Sequence, residues 1–332
     1  MAEPASLLPW HAAAWDRLQR ARQAGRLPHA LLLSGAAGLG KRHLARLFAR
    51  GLLCESPAEA GLPCGNCRAC RLFAGGNHPD FRRLEPAEEG KAIRVDAVRE
   101  LCATSTVKAH FGGYKLFVID PADRMNVQAA NSLLKTLEEP VPWTLLILIA
   151  EQTSALPATI RSRCQSVPLR PPGRELGDQW LRGRVQTGDP ALLLALAGGA
   201  PLAALALDDE TLLAERLRVL EDLSRVGGGG EDPVAVAERW TRLDVTRVLR
   251  WWSGWVVDIL RLKSDADTRE LFNPDQRRRL REQADRLEFK QTHRLLDMIY
   301  EAGRGLEWNL NSHLMLERLL LAWAGPTRDR PI

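Results

Sequence analysis

The sequence of 332 residues has no apolar run long enough to cross a lipid bilayer. One uncharged run extends over residues 191–207, but a spanning helix needs about 20 residues, and Gly198 to Pro201 interrupts this run. The first residues lack a basic stretch that leads into an apolar segment, so no signal peptide is predicted. We therefore expect two short helices within 191–207, no membrane segment and a cytoplasmic protein.

Neither sign of charge dominates the composition. The chain has 46 Lys and Arg residues against 41 acidic ones, which gives a net charge of +5 and a pI near 9.0. Such a small excess allows contact with nucleic acid but does not require it. The arginines at 277–279 and 281 are most simply the solvated face of a helix, with contact to DNA as the alternative.

A phosphate-binding loop is present, but it lacks its hydroxyl residue. Gly35, Gly38, Gly40 and Lys41 match the pattern G-x-x-x-x-G-K-[ST], and they follow a short apolar run that predicts a buried strand. The hydroxyl that would hold Mg²⁺ is replaced by Arg42, whose side chain has donors only and cannot ligate a metal. We expect ATP or ADP binding to be weak or absent, and hydrolysis to be lost.

A second element of the nucleotide site is also incomplete. The apolar run at residues 115–119 ends at Asp120, as in a buried parallel strand that presents a carboxylate to a metal. The glutamate that usually follows this aspartate and orients the attacking water is replaced by Pro121. The sequence therefore predicts a catalytically inactive site.

Four of the six cysteines lie close together in a segment with few apolar residues: Cys54, Cys64, Cys67 and Cys70. Disulfides are rare in a reducing compartment. An iron–sulfur cluster is the rival, but Ala74 and Gly75 stand where the bacterial ferredoxin pattern has its last cysteine and proline. Four thiolates suit a closed, tetrahedral structural Zn²⁺ site, which would supply folding energy that a small core cannot.

The order of predicted elements divides the chain. Strands and helices alternate up to Leu169, which predicts a parallel sheet covered by helices on both faces, and helices alone follow. We predict an α/β domain over 1–170 with a zinc module at about 54–70, a small helical lid domain over 171–207, an all-helical collar domain over 208–324 and a disordered tail over 325–332.

One helix of the second half is apolar around much of its circumference. It is predicted from Val245 to Lys263 and carries Trp251, Trp252 and Trp255. Such a helix needs burial on more than one side, which either the core of its own domain or a partner subunit can provide.

Several strings of the sequence are similar to those of one protein family. They are residues 27–33 (LPHALLL) before the glycine loop, the four-cysteine module, residues 77–80 (NHPD), the Asp120 strand, residues 131–140 (NSLLKTLEEP) and residues 159–164 (TIRSRC). Together they resemble the delta-prime subunits of the bacterial DNA polymerase III clamp loader, which are AAA+ proteins. The resemblance covers the first half closely and the second half by its helical layout and by a terminal helix predicted at 309–323.

The same family includes the ATPase subunits tau and gamma, and three departures from them favour the delta-prime group. The first two departures are Arg42 and Pro121. The third is the lack of an arginine within residues 198–202, where the ATPase subunits carry one in the lid domain. The resemblance implies a stator-like subunit that does not hydrolyse ATP. Two alternatives remain, an active tau/gamma-like ATPase and a zinc-dependent DNA-binding protein.

The resemblance also implies partners and one more functional residue. It implies a five-subunit ring with tau/gamma and delta subunits, within the DNA polymerase III holoenzyme, that opens the sliding clamp and loads it on primed DNA. Arg163 would act in trans as an arginine finger at the ATP site of a neighbouring subunit, since a permanently charged planar fork suits phosphate oxygens. The alternative for Arg163 is a structural ion pair at the edge of the last strand.

Overall fold

A computed structural model describes residues 6–88, 91–306 and 311–325 of the chain. The chain separates into two compact units, one that ends at Leu176 and a second that begins at Gly177. Among the residues that the structure describes, no helix combines the length and the apolarity that a bilayer span requires.

The first unit is built on a parallel five-stranded sheet. Its strands lie in the order β2-β3-β4-β1-β5 and have the bounds β1 Ala30–Ser34, β2 Phe81–Leu84, β3 Lys115–Ile119, β4 Thr144–Ala150 and β5 Gln165–Pro168. Every residue of β3 and β4 is buried, because helices cover both faces of the sheet. The register pairs Leu32 with Leu148 and Val118 with Ile147, which aligns the carboxyl ends of these strands at one edge.

Helices of the first unit follow the strands as in repeated β-α units. They are α1 Ala12–Gln23, α2 Lys41–Leu53, α3 Arg68–Ala74, α4 Val95–Ser105, α5 Val127–Glu138 and the single turn α6 Ala158–Arg161. On one face of the sheet, Leu32, Phe117 and Leu146 pack with Leu101 of α4 and Leu133 of α5. The alternating α/β architecture predicted from the sequence is confirmed.

The regular elements among the described residues of the second unit are all helices. After α7, Arg174–Leu181, at the junction of the two units come α8 Pro190–Leu196, α9 Pro201–Ala206, α10 Glu210–Gly227, α11 Pro233–Trp240, α12 Val245–Ser264, α13 Arg277–Arg286, α14 Phe289–Leu306 and α15 Ser312–Ala324. A small apolar cluster of Leu181, Leu193, Leu194 and Ala204 is distinct from the larger core that α10 to α15 share. The proposed lid and collar boundary at residue 207 stays a prediction, and residues 326–332 of the predicted tail lie outside the described ranges.

The tryptophan-rich helix α12 lies within the larger core. Trp252 and Trp255 are fully buried, and Trp252 makes edge contacts with Trp240 of α11 and Trp323 of α15. Trp251 is half-buried, with Arg247 over its ring. Burial on more than one side of α12 is thus confirmed, and the core of its own unit provides it for Trp252 and Trp255.

Candidate functional site

The glycine loop connects the carboxyl end of β1 to the first turn of α2. Gly35 and Gly40 have φ angles of 146° and 78°. A Cβ atom at Gly35 would lie 2.3 Å from the carbonyl oxygen of Leu169, and one at Gly40 would lie 2.8 Å from Leu8 Cδ1. Both the backbone conformation and the close approach of neighbours therefore require glycine, and the loop wraps tightly before the helix N-terminus.

Lys41 begins α2 and is 6% exposed. Its Nζ donates hydrogen bonds to the carbonyl oxygens of Gly35 at 2.7 Å and Ala36 at 2.8 Å, and lies 3.7 Å from Glu151 Oε1. Burial lowers the pKa of Lys41, while nearby carboxylates, chiefly Glu151, oppose that shift. The ammonium group thus has protein acceptors and a countercharge inside the loop.

Arg42 and Asp120 form an ion pair across the site. Arg42 Nε lies 2.5 Å from Asp120 Oδ2, and the Asp120 side chain is 5% exposed while that of Arg42 is 49% exposed. In a magnesium-dependent nucleotide site, a hydroxyl at position 42 and the carboxylate at position 120 would face the same ion. Here the guanidinium itself neutralises the carboxylate, so a divalent cation would have to displace it.

The segment after β3 carries Pro121 directly after Asp120, and Asp123 two residues further on. Pro121 has no ionisable group, and Asp123 is engaged by the loop after β4. The Asp123 carboxylate accepts hydrogen bonds from the backbone N–H groups of Glu151 at 3.0 Å and Gln152 at 2.8 Å. Oδ2 of Asp123 therefore joins the segment after β3 to the loop after β4.

The four clustered cysteines converge in space. Cys54 ends α2, Cys64 and Cys67 lie in the following loop, and Cys70 lies in α3. Their sulfurs are all within 4.8 Å of one another, and Sγ of Cys54 is 3.8 Å from that of Cys67. Four sulfurs at about 2.3 Å from a tetrahedral ion would be about 3.8 Å apart, so the donor set fits a single structural metal ion.

Backbone N–H groups point at the cysteine sulfurs. Cys64 N donates to Cys54 Sγ at 3.3 Å, Cys67 N to Cys64 Sγ at 3.4 Å, and Cys70 N to Cys67 Sγ at 3.3 Å. Hydrogen bonds from Asn66 and Cys67 lower the pKa of Cys64 to about 6. Such donors favour thiolates, which are the form of cysteine that binds metals. All six cysteines lie in the described ranges, and none forms a disulfide.

Arg163 lies in the turn between α6 and β5. Its side chain is 35% exposed, with Nη2 2.7 Å from Glu138 Oε1 and Nη1 donating to the carbonyl oxygen of Thr159 at 3.0 Å. The next residue, Cys164, is buried, and burial raises the pKa of its thiol to about 11. Cys164 thus anchors the turn in the core while Arg163 reaches the surface.

The structure adds two residues to the loop site that the sequence did not indicate. Glu151 directly follows β4, and its position at the carboxyl edge of a parallel sheet was a usable signal. His11 is fully buried and bonds through Nε2 to the carbonyl oxygen of Leu39 at 2.7 Å, and burial lowers its pKa to about 4. No sequence pattern pointed to His11, because its role depends on contact with a loop 28 residues away.

Comparisons with known proteins agree along the chain. The family described as "DNA polymerase III, delta subunit" matches residues 10–173, and "DNA polymerase III, delta subunit, C terminal" matches residues 210–325. The DNA polymerase III subunit delta' of Pseudomonas aeruginosa is 40% identical over 329 residues, 96% of this chain and 98% of the relative. The delta' subunit of Escherichia coli is 40% identical over 201 residues, 60% of each chain. The tau/gamma subunit of Haemophilus influenzae is 35% identical over 194 residues, 56% of this chain and 28% of the relative.

The sheet order, the glycine loop after β1 and the acidic residue after β3 define an AAA+-like fold, with Arg42 and Pro121 at the positions where the sequence patterns of ATPases have a hydroxyl residue and a glutamate. Within that class, the chain belongs to the delta' family of DNA polymerase III subunits. The resemblance drawn from the sequence strings is confirmed.

Proposed function

We propose that this chain is a stator-like subunit of the replicative clamp loader, which helps to open the sliding clamp and load it on primed DNA without hydrolysing ATP itself. The Arg42–Asp120 pair carries the proposal, because a protein cation engages the carboxylate that an active subunit would offer to Mg²⁺. Pro121 removes the water-orienting carboxylate in addition. Any nucleotide held by Gly35, Gly38, Gly40 and Lys41 would be bound weakly.

Turnover by the purified chain tests this assignment. We expect no Mg²⁺-dependent ATP hydrolysis above background, and Arg42→Thr should not restore it while position 121 is proline. Robust hydrolysis by the wild-type chain would instead identify an active tau/gamma-like ATPase. Salt-sensitive DNA binding that depends on the four cysteines would favour the zinc-dependent DNA-binding alternative.

In this proposal the chain joins tau/gamma ATPase subunits and a delta subunit in a five-subunit cytoplasmic ring, and contacts primed DNA through the assembled complex. The helices of residues 208–324 would form its share of the collar. Leu314 and Leu321 of α15 support an interface there, since they are 61% and 49% exposed and their spacing of seven residues places them on one face of the helix.

Arg163 is proposed to complete the ATP site of the adjacent ATPase subunit. Its guanidinium is permanently charged, is partly exposed, and is held by two oxygen acceptors that a phosphate group can replace. Arginine fingers supplied in trans raise the rate of phosphoryl transfer by roughly 10³–10⁵. One active site of the ring should therefore become nearly silent when Arg163 is removed.

Arg163→Ala, assembled with wild-type partners, tests this role, and Arg161→Ala is the matched control because Arg161 is an exposed arginine of the same turn. We expect both complexes to assemble, and clamp loading to fall only for Arg163→Ala. Total ATP turnover should fall in part, since the other sites use other fingers. Loading at the wild-type rate across ATP concentrations would show that Arg163 is only the ion-pair partner of Glu138.

The four-cysteine cluster is proposed to hold one structural Zn²⁺ ion through Cys54, Cys64, Cys67 and Cys70. The short distances between the sulfurs favour a single ion. A four-iron cluster is larger than one ion, so the sulfurs that hold it would have to lie farther apart. The ion would join the end of α2 to α3 across a loop with little core of its own. Native mass spectrometry should find one zinc per chain, and stoichiometric iron with visible absorbance would overturn the assignment.

A further inference from the structure

A cavity opens at the edge of the sheet where the strands begin, opposite the edge that carries the glycine loop. It lies between the segment before β3 and the turn before β4, and its volume of about 310 Å³ is near the lower end for ligand pockets. Its walls are chiefly apolar and include Val107, Ala109, Val141, Pro142 and Trp143. No residue of the glycine loop or of the cysteine cluster lines this cavity.

Trp143 occupies a backbone conformation that rarely suits a tryptophan. Its φ angle is 63°, in the left-handed region that favours glycine, and the residue is 66% exposed. No other tryptophan that the structure describes is exposed to this degree. The position is fixed, because the carbonyl oxygen of Trp143 accepts the backbone N–H of Lys115 at 2.8 Å and the ring of Tyr114 contacts the indole edge-on at 5.3 Å. Strain of this kind is typical of binding sites.

The other wall of the cavity is held by two buried side chains. Asp80 is 2% exposed, and its carboxylate accepts the backbone N–H groups of residues 110 and 111 at 2.6 and 2.9 Å. Lys115 Nζ donates to the carbonyl oxygens of Thr104 at 2.8 Å and Val107 at 3.1 Å. These contacts fix the segment that carries Val107, so the cavity is preformed and a ligand would have little ordering to do.

Lys108 gives the cavity its charge. Its side chain is exposed and forms no ion pair within the part of the chain that the structure describes. Lys115 also lines the cavity, but its ammonium group is already engaged by two carbonyl oxygens. A nucleic-acid site combines aromatic rings with a groove of several basic side chains. One unpaired cation beside an apolar cavity instead suits an apolar side chain that lies next to a carboxylate.

We propose that this cavity is a docking site for a short acidic segment of a partner protein, which places an apolar side chain against Val107 and Trp143 and a carboxylate beside Lys108. The indole offers a large, rigid contact area at a low cost in conformational entropy. Val107, which is 61% exposed, would be covered by the same side chain. Because the cavity and the glycine loop lie at opposite edges of the sheet, docking requires no nucleotide.

A pair of small peptides tests the site on the full-length chain. The probe is the acetylated and amidated tetrapeptide glycyl-(4-fluorophenylalanyl)-aspartyl-glycine, and its neutral match has asparagine in place of aspartate. Fluorine NMR of the peptides measures their affinities. We expect a Kd of about 1 mM for the aspartyl peptide, since so short a ligand makes few contacts, and binding about two- to fivefold weaker for the asparaginyl peptide. In protein labelled with 5-fluorotryptophan, the resonance that is missing from Trp143→Phe should shift.

Three variants separate the charge from the apolar contact. Lys108→Gln should lower the affinity for the aspartyl peptide to that for the asparaginyl peptide. Lys135→Gln, at an exposed lysine of α5 that does not line the cavity, should leave both affinities unchanged. Trp143→Gly should weaken the binding of both peptides by about tenfold or more. The same variant should keep its fold, as judged by circular dichroism, because glycine suits a φ angle of 63°.

Equal affinity of wild type and Trp143→Gly for the aspartyl peptide would overturn the proposal, as would an unshifted Trp143 resonance or equal affinity of wild type and Lys108→Gln. If Trp143→Gly does not fold, Val107→Ala at its exposed position replaces it. Weaker binding of both peptides by that variant supports the site, and unchanged binding refutes it. A thymidine tetranucleotide that binds more tightly than the aspartyl peptide would overturn the proposal in favour of a nucleic-acid site.

Discussion

Breaking the Arg42–Asp120 pair should destabilise the first unit measurably. Loss of one partner from a fully buried ion pair costs about 3–5 kcal/mol, whereas a solvent-exposed pair contributes about 0.2–1 kcal/mol. This pair is intermediate, because the carboxylate is 5% exposed and the guanidinium 49% exposed. We therefore expect Arg42→Ala to reduce the free energy of unfolding of the first unit by about 1–3 kcal/mol.

Because the chain has two units, the assay must report on the unfolding of the first unit alone. Urea unfolding followed by pulsed hydrogen exchange and mass spectrometry of β3 peptides meets this need. A double-mutant cycle with Arg42→Ala, Asp120→Asn and the double variant isolates the interaction between the two side chains. The double variant should be more stable than the sum of the single losses predicts, since neither charge is then left without its partner.

Magnesium should stabilise the Arg42→Thr variant but not the wild-type chain. In Arg42→Thr the Asp120 carboxylate loses its cation and a hydroxyl becomes available, so added Mg²⁺ with nucleotide should recover part of the lost stability. The wild-type chain should show no such gain. Two results would refute the view that Arg42 stands in the place of the metal. One is that the stability losses of Arg42→Ala and Asp120→Asn add up, within about 0.5 kcal/mol, to the loss in the double variant. The other is that Mg²⁺ stabilises Arg42→Thr and the wild-type chain equally.

Four further outcomes are expected. Cys67→Ser should lose zinc and show faster hydrogen exchange between residues 54 and 70 while β3 and β4 remain protected. Trp252→Ala, at a fully buried site, should lower the stability of the second unit by about 3–5 kcal/mol in urea unfolding. Leu321→Ala, at a site that is 49% exposed, should change that stability by less than about 0.5 kcal/mol yet weaken ring assembly in a pull-down with partner subunits. Because the pKa of His11 is lowered to about 4 in the folded chain, the unfolded chain binds a proton at this residue more readily. The first unit should therefore lose stability as pH falls from about 6.5 to 4, and His11→Phe should reduce the dependence of stability on pH in this range.

The sequence predicted the elements that have strong apolar patterns. The strands β1, β3 and β4 are short buried runs of Leu, Ile, Val and Phe, so composition and length together pointed to a parallel sheet. Strand β2 is harder to predict, since Phe81 to Leu84 contains two arginines and only four residues and lies at the edge of the sheet. The cysteine cluster could be predicted because its spacing is local.

Contacts between residues that are distant in sequence were beyond prediction. The sequence showed that Arg42 cannot bind Mg²⁺, but not that its guanidinium reaches a carboxylate 78 positions away. Arg163 was singled out by a family string, whereas its partner Glu138 follows only from the packing of the α6 turn near the end of α5.

Helix α2 has a mechanical consequence for the first unit. It is 13 residues long, or about 20 Å. Arg42 joins its first turn to Asp120, the residue after β3, and its last residue adjoins Cys54. A helix that is held at both ends cannot tilt about either end. A displacement of the cysteine module is therefore transmitted along the axis of α2 to the glycine loop. In the proposed zinc-bound module the metal anchors the far end of the helix, so we expect its removal to loosen glycine-loop backbone that no metal ligand touches.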